Sequence, residues 1–207
     1  MPMFALGTVL VPGGILPLHV FEPRYRQMVI DCLREDGEPE FGQALITHGR
    51  EAGGGDERAM VGTIARMLQV DALDDGRYAL IAVGTRRIAV NAWLPDDPYP
   101  IADVDEWPDD DPDAAGLDEA VRHAHDRVRT TLALAAEIEG QPADTADTAD
   151  TTVSDDPLVA SYHLAAIAPI GPADRYRLLA APGPMERMRL LDEVLDDVDA
   201  MLRFRLS

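Results

Sequence analysis

The sequence predicts an α+β protein in which a β-rich half with one early helix precedes a helical half. Residues 41–107 contain short apolar or alternating runs separated by turn signals, which is typical of an antiparallel sheet. Beyond residue 117 the apolar residues recur at helical spacing. We therefore expect a β-rich, barrel-like subdomain over residues 1–107 and a helical subdomain over residues 117–207.

One helix is predicted within the β-rich half, where the stretch LPLHVFEPRYRQMV (16–29) changes period. Pro23 suits the first position of a helix because its missing N–H costs nothing there. One apolar stripe then comprises Tyr25, Met28, Val29, Cys32 and Leu33. Gly37 is the predicted C-cap. The charged residues thus have a structural explanation, with Glu22 at the favourable end of the helix dipole and Tyr25 as an anchor.

Four strand patterns follow this helix. They read FGQALIT (41–47), MVGTIARMLQV (60–70), YALIAVGTRRIAV (78–90) and PIADVDEW (100–107). The sequence Asp74, Asp75, Gly76 is a strong hairpin signal between the second and third patterns. Gly84 interrupts the third pattern, and a glycine inside a strand predicts a bulge or bend.

An acidic linker at residues 108–116 separates the two halves. Between Asp96 and Glu119 there are eleven acidic residues and no basic one, and we expect these carboxylates to be solvated. The triplet repeat ADTADTADT (143–151) is too polar to bury a core, so a disordered loop is predicted over residues 141–156. Helical patterns resume at Pro157 and continue towards the C-terminus.

The composition excludes several classes of function. All 18 basic residues are arginine, so this polypeptide holds no P-loop lysine, Schiff-base lysine or Ser-Lys dyad. The net charge of −20 argues against nucleic acid as a partner, because phosphate contacts require a basic surface. The single cysteine fits a reducing cytoplasm. Residues 1–21 contain prolines and glycines that would break a spanning helix, so we expect a cytoplasmic protein without membrane contact.

No catalytic constellation is evident in the sequence, which therefore predicts no cofactor, no metal site and no enzyme activity. Ser161 lies two residues before His163, but in a helical pattern that lacks a nucleophile elbow. Cys32 lies on the apolar stripe, with only Arg34 as a basic neighbour in sequence. An uncharacterised hydrolase or peptidase that uses Ser161 or Cys32 remains the alternative to a binding module.

Several segments together resemble the N-terminal, substrate-binding domain of Lon proteases. They include FALGTVLVPGGILPLHVFEPRYRQMV (4–29), FGQALITHG (41–49), DGRYALIAVGTRRIAV (75–90) and LAAIAPIGPADRYRLLAAPGPMERMRLLDEVL (164–195). The resemblance implies a PUA-like pseudo-barrel followed by a C-terminal helical bundle. It also implies a stand-alone recognition or tethering module, without the ATPase and peptidase modules that lie downstream in full-length Lon.

The resemblance implies that the protein binds polypeptide clients. A separate protease or chaperone is the further partner that it suggests. Its signature residues are expected to be structural: Phe21, Glu22, Pro23, Arg24, Tyr25, Gly84, Arg86 and Arg87. An uncharged loop offers Leu10, Val11 and Ile15 as candidate polypeptide contacts on a Gly/Pro scaffold. The alternative is that these loop residues fill the floor of the barrel. RNA binding, which a PUA-like fold would suggest, is disfavoured by the acidic charge.

Overall fold

The computed structural model describes residues 1–34, 37–51, 55–139 and 153–206 and divides the chain into two compact units. The first unit, Met1–Pro108, contains a six-stranded sheet and one helix, and the second, Asp109–Ser207, contains four helices within its described residues. The predicted α+β class is confirmed, and the strands precede the four described helices of the second unit in the chain.

The elements of the first unit follow the predicted order. In chain order they are β1 (Met3–Leu6), β2 (Ile15–Val20), α1 (Pro23–Cys32), β3 (Glu40–His48), β4 (Glu57–Ala72), β5 (Tyr78–Leu94) and β6 (Ile101–Glu106). The second unit contains α2 (Leu117–Glu139), α3 (Pro157–Ile167), α4 (Pro172–Leu179) and α5 (Pro184–Leu206). The four predicted strands and the early helix are therefore all present.

The sheet has the strand order β1-β3-β4-β5-β2, and β6 also pairs with β5. β1 and β3 are parallel, whereas the other pairs are antiparallel. A bridge between Pro2 and Ile101, with a 2.8 Å bond from the Met3 N–H to the Pro100 carbonyl, joins the β1 end to β6. The predicted hairpin turn joins β4 to β5, and its Gly76 has a φ of +77°.

Helix α1 buries the apolar stripe that the sequence predicts. Tyr25, Met28, Val29 and Cys32 are buried, and the Tyr25 ring stacks on Phe4 with centroids 3.9 Å apart. The end of the helix was predicted wrongly. The helix ends at Cys32, and Leu33 is its C-cap. Because Leu33 lies outside the helix, its side chain does not continue the buried stripe and is half-exposed. Gly37 lies beyond the cap, where its N–H bonds to the Arg34 carbonyl.

The uncharged loop before β2 is attached to β5 at Gly84, where the register shift confirms the predicted bulge. The Gly13 N–H donates to the Gly84 carbonyl, and the Gly84 N–H donates to the Gly14 carbonyl, both at 2.8 Å. A Cβ at position 84 would overlap the Val11 carbonyl oxygen. Only glycine therefore lets the loop approach the strand this closely.

The second unit packs its helices around one apolar cluster, in which Val128, Leu164, Leu191 and Leu195 are fully buried. Most of the predicted ADT loop lies outside the described residues. Its last residues are described, and Asp156 caps α3 by accepting hydrogen bonds from the backbone N–H groups of Leu158 and Val159.

One carboxylate of the predicted linker is buried, contrary to the expectation that these acids are solvated. The side chain of Asp109 is 7% exposed and lies 2.5 Å from a guanidinium nitrogen of Arg187, whose side chain has no exposed surface. Arg187 also donates to Ser161 Oγ at 2.7 Å, and the Tyr162 hydroxyl donates to Asp109 at 2.6 Å. The physical reason is that a buried guanidinium needs a carboxylate partner, and this residue supplies it.

Candidate functional site

The first unit carries an apolar patch on the outer side of strands β2, β5 and β4. We call it the outer apolar face and define it as Ile15, Pro17, Leu68, Ile81 and Val83. Ile15 is 61% exposed, Leu68 59% and Ile81 39%. Since exposed apolar side chains that lie together mark interaction surfaces, this face is the candidate binding site.

Strand register brings these side chains together. Ile15 lies opposite Val83, and Pro17 lies opposite Ile81. Directly opposed residues on one side of an antiparallel pair have Cβ atoms roughly 5 Å apart, so the four side chains form a continuous block. Leu68 joins them from the irregular step in β4 between the pairs of Met67 and Gln69. A bulge of this kind redirects a side chain, and here it adds one to the outer face.

Helix α1 packs on the opposite side of the same strands. Leu16, Val20, Leu80 and Ala82 point inward and are buried in one cluster with the stripe of α1. The inward and outward residues alternate along β2 and along residues 79–84 of β5. Helix α1 therefore contacts only one side of these strands. The apolar residues on the other side are exposed to solvent.

Polar side chains border the outer apolar face at both ends of its rows. Arg66 pairs in register with Val83 at one end and forms a 2.7 Å ion pair with Glu40. At the other end, His19 lies opposite Ala79, which lies opposite Asp71 on β4. On β4, the exposed Gln69 lies in register with Ile81. The face is thus an apolar centre on β2 and β5 with polar residues around it, an arrangement typical of protein interfaces.

Of the three loop residues predicted to contact polypeptide, only Ile15 is exposed. Leu10 and Val11 are 4% and 1% exposed, which agrees with the alternative that they fill the interior. Side chains from β3 and β4 fix this loop: Gln43 accepts a 2.8 Å bond from the Leu10 N–H, and Thr63 donates a 2.7 Å bond to the Leu10 carbonyl. As a correction, Leu10 and Val11 are therefore interior residues and do not belong to the exposed surface.

The signature residues around the start of α1 have structural partners. Glu22 accepts a 3.2 Å bond from Arg24, and Pro23 occupies the first turn of the helix. Arg24 also donates to the Glu51 carbonyl at 3.0 Å and lies over the Tyr25 ring. Phe21 differs from these residues because it is exposed.

The two signature arginines of β5 also have identified partners. Arg86 donates to Glu40 at 2.9 Å and pairs with Glu106 at 2.7 Å. Arg87 is buried, donates to the Trp107 and Pro108 carbonyls, and lies over the Trp107 ring. These contacts attach the end of the first unit to its sheet.

Neither candidate nucleophile is placed to attack a substrate. Ser161 is fully buried, donates to the Leu158 carbonyl at 2.6 Å and has the cation Arg187 beside it where a general base would be needed. Cys32 is also buried, and burial together with the charge of Asp31 raises the pKa of its thiol to about 11. A thiol of this kind is protonated at neutral pH and unreactive.

The described residues contain no group of three or more histidine, cysteine, aspartate or glutamate side chains arranged to hold a metal ion. Within the same part of the chain, no helix has the length and apolar character needed to span a membrane.

Comparison with known proteins identifies the family. The sequence model of the ATP-dependent protease La (LON) substrate-binding domain matches residues 1–197, and the chain belongs to this family. A Lon N-terminal domain protein from Xanthomonas campestris is 26% identical, with a TM-score of 0.64 over 93% of this chain and 96% of that one. The N-terminal domain of the Mycobacterium avium complex Lon protease, 19% identical, has the same fold, with a TM-score of 0.65 over 95% and 97% of the two chains.

Sequence reasoning did not find Pro17, Leu68, Ile81 and Val83 as site residues. The available signal was the run YALIAV (78–83), in which both alternate sets of residues are apolar. A strand with two apolar sides must either be covered twice or leave one side exposed. The sequence does not say which, because the answer depends on where α1 packs.

Proposed function

We propose that this protein is a non-catalytic polypeptide-recognition module, or adaptor, that binds unfolded or exposed protein segments on its outer apolar face. The observation that carries the proposal is the continuous block of exposed apolar side chains, including Ile15 and Ile81, on a chain with a net charge of −20. Membership of the Lon substrate-binding family supports a role in substrate recognition.

The chemistry of the face defines the client. Unfolded segments expose apolar side chains that folded proteins bury. Packing such side chains on Ile15, Leu68 and Ile81 would remove apolar surface from water and so lower the free energy of the complex. The acidic character of the whole chain repels acidic segments and steers basic ones towards the surface. We therefore propose clients that are apolar and neutral to basic, with a separate protease or chaperone as their destination and no nucleic acid partner.

The family resemblance supports two finer structural assignments, and the cysteine content supports a location. We assign the first unit to the PUA-like pseudo-barrels, which fits its β1–β6 bridge, and the second unit to the helical bundles. A cytoplasmic location fits the single, buried cysteine, since proteins outside the reducing cytoplasm more often form disulfides.

A matched pair of substitutions on one strand tests the proposal. Ile81→Glu places a charge in the centre of the outer apolar face, whereas Leu94→Glu makes the same change at a similarly exposed position at the far end of β5. Binding of a fluorescently labelled, reduced and unfolded model protein is followed by anisotropy. We expect Ile81→Glu to weaken binding about tenfold or more, because one partly buried isoleucine contributes on the order of 1.5 kcal/mol.

The control variant and the fate of the client complete the test. Leu94→Glu should bind like the wild type, and the client should remain intact in every sample. Equal loss of affinity in both variants would indicate a general charge effect and contradict the proposed site. Cleavage that persists through purification and disappears in Ser161→Ala or Cys32→Ala would contradict the non-catalytic role.

A further inference from the structure

The hydrogen-bond phase of β2 shows which of its backbone groups face β5. The Gly84 N–H donates to the Gly14 carbonyl, and the register continues one residue at a time from Ile15 opposite Val83. Hydrogen-bonded pairs recur at every second residue of an antiparallel ladder. The residues of β2 that bond to β5 are therefore Leu16, Leu18 and Val20.

The intervening residues of β2 direct their backbone groups away from β5. In an antiparallel strand the N–H and the C=O of one residue point to the same side, so those of Ile15 and His19 face outward, as does the carbonyl of Pro17. Among the described residues β5 is the only strand that pairs with β2, which leaves this side as an open sheet edge. Such an edge is a ready template for another extended chain.

Pro17 fits this phase and limits what can be added. A proline within a strand is tolerated where its missing N–H would have faced outward, and position 17 meets that condition. The open edge then offers donors at Ile15 and His19 and an acceptor at each of the three positions. A short segment can pair at both ends of β2, but a second copy of β2 aligned on Pro17 would place two residues without N–H groups opposite each other.

The same residues belong to the outer apolar face or to its rim. The side chains of Ile15 and Pro17 project to the outer side, next to the edge where their backbone groups are open. A chain added along this edge would place alternate side chains beside Ile15 and Pro17 while its backbone bonds to β2. The open edge and the apolar face thus favour one occupant, an extended segment with alternate apolar side chains.

We propose that the client binds as an added β-strand on the open edge of β2, hydrogen-bonded to Ile15 and His19, with its alternate apolar side chains on the outer apolar face. The proposal rests on the proposed function and deepens it by assigning the binding mode. It predicts that recognition requires a free peptide backbone over a few residues, with little dependence on a particular sequence.

Backbone methylation of a peptide tests this mode. The probe is a labelled peptide of about ten residues, in the range of strand lengths, that alternates isoleucine and threonine between terminal arginines. Two derivatives carry N-methyl groups on alternate residues, in opposite phase. Since alternate amides of an added strand face opposite edges, one derivative should bind about tenfold more weakly or worse, and the other should bind like the parent peptide.

Two measurements on the protein accompany the peptide series. In hydrogen exchange the amides of Ile15 and His19 should exchange rapidly in the free protein and slow about tenfold when the peptide saturates it, because only bonded amides are protected. His19→Pro removes an outward N–H that has no hydrogen-bond partner among the described residues, whereas His19→Thr keeps it. His19→Pro should weaken binding of the peptide, and His19→Thr should leave it unchanged.

The outcomes distinguish a failure of the binding mode from a failure of the proposed function. If Ile81→Glu abolishes peptide binding while both methylated derivatives bind equally and the two amides stay unprotected, strand addition is overturned and the apolar face remains. If the wild-type protein does not bind the parent peptide, both proposals are overturned. A dimer in sedimentation that dissociates in His19→Pro would show that a second copy occupies the edge and would also overturn the proposal.

Discussion

The buried carboxylate Asp109 should contribute more to stability than any exposed acid of the same segment. Its partner Arg187 is fully buried, makes a 3.2 Å bond to the Leu178 carbonyl and lies 3.6 Å from the centroid of the Tyr162 ring. Asp109→Ala removes the only carboxylate that the described contacts place on this guanidinium. Removing one partner of a buried ion pair costs roughly 3–5 kcal/mol, because the other charge stays buried without compensation.

Urea unfolding followed by circular dichroism measures this effect in the intact chain. We expect Asp109→Ala to lower the free energy of unfolding of the helical unit by about 3 kcal/mol or more. Asp113→Ala is the matched control, because it removes an exposed carboxylate from the same segment. The double variant Asp109→Leu with Arg187→Met should recover part of the loss, since it removes both charges. Equal stability of Asp109→Ala and Asp113→Ala would refute the reasoning.

Three further predictions concern the first unit. Tyr25→Ala should lower its free energy of unfolding by roughly 3 kcal/mol, because the buried ring stacks on Phe4, and an unchanged melting temperature would contradict the anchoring role. The thiol of Cys32, with its pKa of about 11, should react with iodoacetamide at neutral pH only after unfolding, and fast modification of the folded protein would show that the thiol is accessible. Burial alone would raise the pKa of Asp56, but the hydrogen bond from Arg58 and the charges of Arg58 and Arg24 hold it below its usual value. A lowered carboxyl pKa stabilises the folded state above the unfolded value of about 4, and this contribution is lost as the pH falls through the folded value. Urea unfolding between neutral and strongly acidic pH should therefore show a smaller acid-induced loss for Asp56→Asn, and identical pH profiles would contradict the assignment.

The sequence predicted those features that local patterns determine. β4 and β5 were found because their apolar residues alternate and a strong turn signal joins them. Helix α1 was found from its apolar stripe and from Pro23 at its start. These signals lie within short windows, where the spacing of residues and the chemistry of turns decide the structure.

The features that were missed depend on contacts between distant parts of the chain. Asp109 looked like one solvated acid among eleven, and its partner lies 78 residues further on. The outer apolar face requires three strands in register and a helix that covers their other side. The contact role predicted for Leu10 and Val11 was wrong for the same reason. Hydrogen bonds between Leu10 and the distant residues Gln43 and Thr63 hold this loop in the interior of the unit, and the local sequence does not reveal them.

Chemical-shift mapping of the labelled protein with an unfolded client tests the central claim most directly. On saturation with the client, the account predicts shifts of the backbone amides of residues 15–20 and 79–83 and of Leu68, which form or flank the outer apolar face. The exposed residue Leu94 and the amides of the helical unit should keep their positions. Binding that shifts only helical amides, or that leaves residues 15–20 and 79–83 unchanged, would contradict the account.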